Sequence, residues 1–215
     1  SEDLAPLTET QKLNALLLVM IPSPGPAEFE ASLSDLLITQ LPVLNNVALD
    51  RAAADYFFMR ASWAETEQYY LKCLKRDPKD VAAANNLALV VVELRSDFEE
   101  SDKLIQQALS VMAGNKSPPG SNAFLLDTQS QLLLAADKID QALEILTPLS
   151  LSPTADASVF LHLAACYQKM GKIEEAEQAL AIAQQLGITA TSILPPMDKR
   201  IYDDLTATHA RQARK

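Results

Sequence analysis

Glycine, cysteine and histidine are scarce in this chain, and positive charge is outnumbered: its 215 residues include 5 Gly, 2 Cys and 2 His, with 18 Lys and Arg against 28 Asp and Glu. Each shortage removes a class of chemistry. No Gly-rich phosphate loop is present, nor any GxSxG or HExxH stretch. The formal charge of −10 argues against a nucleic-acid partner, because phosphate tracking needs clustered Lys and Arg to displace counterions. Only the tail, with Arg211, Arg214 and Lys215, is locally basic, and it reads as a solvated terminus. Cys73 and Cys166 are 93 residues apart and follow no CxxC pattern, so they read as small core residues rather than zinc ligands or a disulfide framework. Long apolar runs are missing too. ALLLVMI at residues 15–21 is far shorter than a membrane span and lacks a basic stretch before it, so neither membrane insertion nor a clear signal peptide is expected. A chain that begins at Ser1 reads as a processed or excised piece, which leaves cytoplasmic and periplasmic locations both open.

What is present is apolar residues, at 48% of the chain, in helical register. In YQKMGKIEEAEQALAIAQQ, residues 167–185, Ile173, Ala176, Leu180 and Ala183 step by three and four, the spacing of one helical face. Phe160, Leu163, Ala164 and Tyr167 step alike before it, and Gly171 supplies the permissive backbone where the first helix must stop. This hairpin recurs. DKIDQALEILTPL lies 34 residues before GKIEEAEQALAIA, matching Ala142 to Ala176 and Leu146 to Leu180. Phe98, Ser101, Ile105 and Ala108 hold the same register, as do Trp63, Thr66, Tyr70 and Cys73, so four copies are visible. Two helices cross closely only where one presents a small side chain, so Ala164 against Ala176 gives room while Phe160, Tyr167 and Leu180 fill the flanks.

On these residues the chain resembles the tetratricopeptide repeat family, with degenerate copies of bacterial type. The fullest copy runs from Ala157 to about Gly187. Thr66 stands where that family has Ala, and Gln129 and Ser130 stand where a Leu and a small residue are usual. The resemblance implies an all-α, right-handed superhelical solenoid of helical hairpins with a concave inner surface. Its organisation is expected as a degenerate N-terminal hairpin or cap (1–46), then repeats over about 47–80, 81–113, 123–156 and 157–187, with a loop insertion at 113–122. Residues 188–215 follow as a capping helix and tail, with Met197, Ile201 and Leu205 on one face. The insertion reads as a hinge or, more simply, as tolerated extra length, which surface loops accept cheaply. Near the start, Thr8 and Gln11 have capping-box spacing.

Function is then expected to be binding rather than catalysis. His162 and Cys166, four apart, share a helix face and are half of a metal or nucleophile site, but the chain has no second ligand pair and one other histidine, His209. No catalytic, cofactor or metal residue is assigned. The family's ligands lie along the first helices of the hairpins, which carries over to Arg51, Asp55, Asn85, Leu89, Asp127, Gln131, Leu161, His162 and Gln168. Asn85 and Gln131 suit an extended peptide backbone, and Leu89, Phe124 and Leu161 suit apolar side chains. The implied role is a non-catalytic scaffold for a peptide or protein partner. The alternative is a regulatory or recruiting region of a larger enzyme or of a secretion or envelope assembly. The competing view of these residues is that they are ordinary solvent-facing positions, with any binding at the ends.

Overall fold

A computed structural model describes residues 8–21, 25–44, 46–114, 118 and 120–212. Among the described residues there are eleven helices and no strand. They are α1 (Glu9–Met20), α2 (Ala27–Leu44), α3 (Val47–Phe58), α4 (Trp63–Arg76), α5 (Val81–Arg95), α6 (Phe98–Gly114), α7 (Ala123–Ala135), α8 (Ile139–Ser150), α9 (Ala157–Lys169), α10 (Ile173–Gln185) and α11 (Pro196–Gln212). No helix among the described residues is long and apolar enough to cross a membrane.

Local chemistry sets where the helices start and stop. The Thr8 hydroxyl accepts from Gln11 N at 3.2 Å while Thr8 N donates to Gln11 Oε1 at 2.9 Å, so the expected capping box forms. Asn46 and Asp80 cap α3 and α5 by accepting from Leu49 N and Ala83 N. The turns that fold α3 on α4, α5 on α6, α7 on α8 and α9 on α10 each hold one residue in left-handed backbone: Ala61, Ser96, Asp137 and Gly171. Gly171 takes that conformation at no steric cost, whereas the other three pay for a Cβ there.

The second helix of each pair buries a small residue at one position and a larger one a turn later: Thr66 and Tyr70, Ser101 and Ile105, Ala142 and Leu146, Ala176 and Leu180. The hydroxyls that replace a methyl at this position have partners. Thr66 donates to Ser62 O and Ser101 donates across to Ala88 O on α5, both at 2.8 Å, so neither is a buried orphan.

Successive pairs stack through α4 on α5, α6 on α7 and α8 on α9. The apolar interior divides into two clusters, one running from α1 to α7 and one from α7 to α11. At the N-terminus α1 packs on α3, as does α2. A half-buried ion pair secures this end: Arg60, in the turn after α3, donates to Glu30 Oε1 on α2 and to Met20 O of α1, both at 2.8 Å. That Arg60 hydrogen bond holds the Glu30 carboxyl down at about 2, against the opposing effect of burial.

The C-terminal helix takes a place the periodicity did not disclose. Expected to cap the end of the array, α11 lies on α9 with its first turns reaching α7 and α5. Met197 joins the first apolar cluster while Tyr202 and Leu205 join the second, so α11 straddles the seam between them.

Candidate functional site

The first helices of the last three stacked pairs, α5, α7 and α9, present side chains to α11, and a cavity of about 530 Å³ remains between them. Its floor is apolar. Leu89 and Val92 come from α5, Leu132 from α7, Ala165 from α9, and Met197, Ile201 and Leu205 from α11. Leu89, Leu132 and Met197 belong to one core cluster, and Ala165 and Leu205 to the other, so the cavity sits where the two fail to merge. Charged groups ring it: Glu93 pairs with Arg200, Lys169 donates to Asp137 at 2.8 Å, and Asp204 stands exposed. A volume of this order lies within the range of small-molecule and anchor-residue pockets, about 300–1,000 Å³.

Beside the cavity, and meeting it through Gln131, lies a polar knot. His162 on α9 is 2% exposed, its Nδ1 lying 2.8 Å from Asp127 Oδ1 on α7 and its Nε2 3.2 Å from Asp198 Oδ1 on α11. Gln131, one turn along α7 from Asp127, donates Nε2 to the same Asp198 oxygen at 2.6 Å. Burial opposes charge on the ring, but the two carboxylates, Asp127 foremost, overcome it and push the His162 pKa up to about 10. At neutral pH the ring is therefore an imidazolium donating on both edges. The carboxylates face opposite edges of the ring and do not converge on one point, and among the described residues no cluster could hold a metal ion. Cys166 plays no part in this knot. It is buried, and burial pushes its thiol up to about 11, away from nucleophilic character.

A second polar chain joins α3, α4 and the start of α5. Arg51 on α3 donates to both oxygens of Asp80 at 2.9 Å and to Asp55 at 3.3 Å, while Tyr70 on α4 donates to Asp55 at 2.6 Å. Asn86 donates to the Tyr70 hydroxyl at 2.8 Å, and Asn85 to Asn86 Oδ1 at 3.1 Å. The chain ends on an orphan: Asn85 Oδ1 is buried with no hydrogen-bond partner.

The ten residues expected to face a partner thus separate into groups. Leu89, Gln131 and Gln168 line the large cavity, and Gln168 also donates to Thr208 of α11 at 2.8 Å. Asp127 and His162 form the knot beside it, and Arg51, Asp55 and Asn85 belong to the second polar chain. Phe124 is exposed and borders, with Asp127, a separate cavity of about 140 Å³ between α7, α8 and α9. Leu161 requires correction: it is wholly buried in the second core cluster and holds helices together, leaving no surface for a partner. Its position next to His162 on α9 turned it inward, because the first helices are buried around most of their circumference. The residues that sequence reasoning missed are on α11, chiefly Asp198, Arg200 and Asp204. The visible signal was Asp198 directly beside Met197 at the edge of the apolar stripe.

No protein-family model, curated protein or solved structure matches the chain. Fold and site together define an all-α protein of stacked helix pairs, with a cavity between three first helices and the C-terminal helix laid over them.

Proposed function

We propose that the chain is a non-catalytic interaction scaffold of the tetratricopeptide type, a right-handed solenoid that binds a peptide or protein segment on the face made by α5, α7 and α9. The observation carrying this reading is the cavity of about 530 Å³, apolar within and charged at its rim, lined by one side chain or more from each of those helices. An apolar pocket with a few convergent polar groups fits an anchor side chain with its backbone held at the edge. Asn85 adds support. It lies one turn before Leu89 on α5, and its unpartnered carbonyl oxygen is the kind of buried acceptor that a bound donor would satisfy. The left-handed residue in the inner turn of each of four successive helix pairs, and the small-then-large pattern of the second helices, favour the repeat family over an unrelated helical bundle.

The test is selection of a phage-displayed random peptide library on the full chain, repeated on Ala165→Trp, which fills the cavity. Peptides enriched on the wild type should lose about tenfold or more in affinity on the filled variant. Enrichment of none, or equal binding to both proteins, would remove the face as the binding surface.

A further inference from the structure

Deepening the interaction role just proposed, and resting on it, we infer that the partner is an amphipathic helix that presents a buried carboxylate beside large apolar side chains, and that α11 occupies its seat as an imperfect internal stand-in. Six contacts show what the seat recognises. His162 and Gln131 both donate to one carboxylate, that of Asp198, which is itself 9% exposed. Met197 beside it enters the first core cluster, and Leu205, two turns on, enters the second. Glu93 takes the guanidinium of Arg200 at the rim, and Gln168 takes the Thr208 hydroxyl further along. The recognition element is thus an acid with one apolar residue directly before it and another two turns on, and its charge is complementary to the His162 imidazolium.

The fit is incomplete. A cleft of about 530 Å³, open to solvent on one side, stays unfilled beneath α11 although its floor is apolar. The reason is visible along α11 itself: two of the positions it turns toward that space are Arg200, drawn to Glu93 at the rim, and Asp204, which is exposed. A helix with the same acid but with apolar residues at those two places would keep the polar contacts to His162 and Gln131 and fill the void. It would outcompete α11. That asymmetry distinguishes an exchangeable occupant from a permanent core helix, which would present its large side chains to the space.

Two fluorescein-labelled peptides test this on the full chain by anisotropy: residues 194–212 as they stand, and the same segment with Arg200→Leu and Asp204→Phe. The second should bind about tenfold tighter or more, because it adds apolar area in the void. Loosening the resident helix in the protein by Asp198→Ala should raise the affinity for both peptides by about tenfold, since the open seat is more populated. Arg200→Glu in the protein, at an exposed position, should act in the same direction and serves if Asp198→Ala folds poorly. Changing the peptide's Asp198→Asn, or the protein's Ala165→Trp, should weaken binding about tenfold. Equal affinities for the two peptides, or affinities indifferent to both Asp198→Ala and Arg200→Glu, would overturn the inference. If library peptides bind through the cavity while neither helical peptide does, the interaction role stands and this account of its partner falls.

Discussion

His162 decides the chemistry of the site because each ring nitrogen meets a carboxylate from a different helix. Its pKa in the folded chain, about 10, lies above the ordinary histidine value of 6.5, so folding is favoured by proton binding there. The stabilisation is fully present below pH 6.5 and is lost as the pH climbs toward 10. A urea titration of wild type against His162→Gln should show the two midpoints well apart at pH 6 and converging by about pH 10. Constant separation over that range would mean that the ring is neutral in the folded chain. At the acid end Glu30 works with the opposite sign. Its pKa, lowered from 4.5 to about 2 by Arg60, contributes stability above pH 4.5 that drains away toward pH 2, and Glu30→Gln should flatten the acid limb of the stability profile.

Helical elements in this protein are defined by their turns as much as by their faces. Gly171 has a left-handed φ of +73° and open space where a Cβ would go, so Gly171→Ala carries only the backbone penalty, about 1 kcal/mol. Ala61 has the reverse problem at φ 54°: Ala61→Gly relieves strain, less the entropy that glycine adds to the unfolded chain, for a net gain of up to about 1 kcal/mol. Thermal melting of both variants measures the contrast, and equal shifts of the same sign would show that the turns are not equivalent. Between these turns, helix contacts depend on small side chains. Ala176→Leu, at a buried position between α9 and α10, should cost about 1–3 kcal/mol by overpacking. An unchanged melting midpoint would place Ala176 outside the crossing.

Across the whole molecule, two apolar clusters are joined through the helices around α7 and by α11 lying over the seam. Met197→Ala removes the side chain by which α11 enters the first cluster and should cost about 2–5 kcal/mol if the helix is fully docked. A smaller loss, below about 1 kcal/mol, would show that α11 is already partly released, because an undocked side chain has no packing to lose. Hydrogen exchange supplies the spatial check. Amides of α11 should exchange ahead of those of α5 and α7, since sub-global opening begins at the least well packed element.

Much of this protein was legible without its structure. The capping pair Thr8 and Gln11, the glycine turn at Gly171 and the small-then-large register from Thr66 to Leu180 are all local, and they recur in the folded chain because side chains three and four apart share a helix face whatever surrounds them. The non-glycine residues in left-handed turns, Ala61, Ser96 and Asp137, carried a weaker signal, since their conformation is imposed by the hairpin and not by their own preference. Tertiary structure alone decided the site. Periodicity marked Met197, Ile201 and Leu205 as a face to be buried but said nothing about which surface would bury it, and it placed Leu161 toward a partner when the helices around it had already enclosed it. The contacts that settle the matter join Gln131 to Asp198 and Glu93 to Arg200, across 67 and 107 residues of chain. A helical repeat states its own faces, but which distant helix covers them depends on complementarity of shape and charge that exists only once the chain has folded.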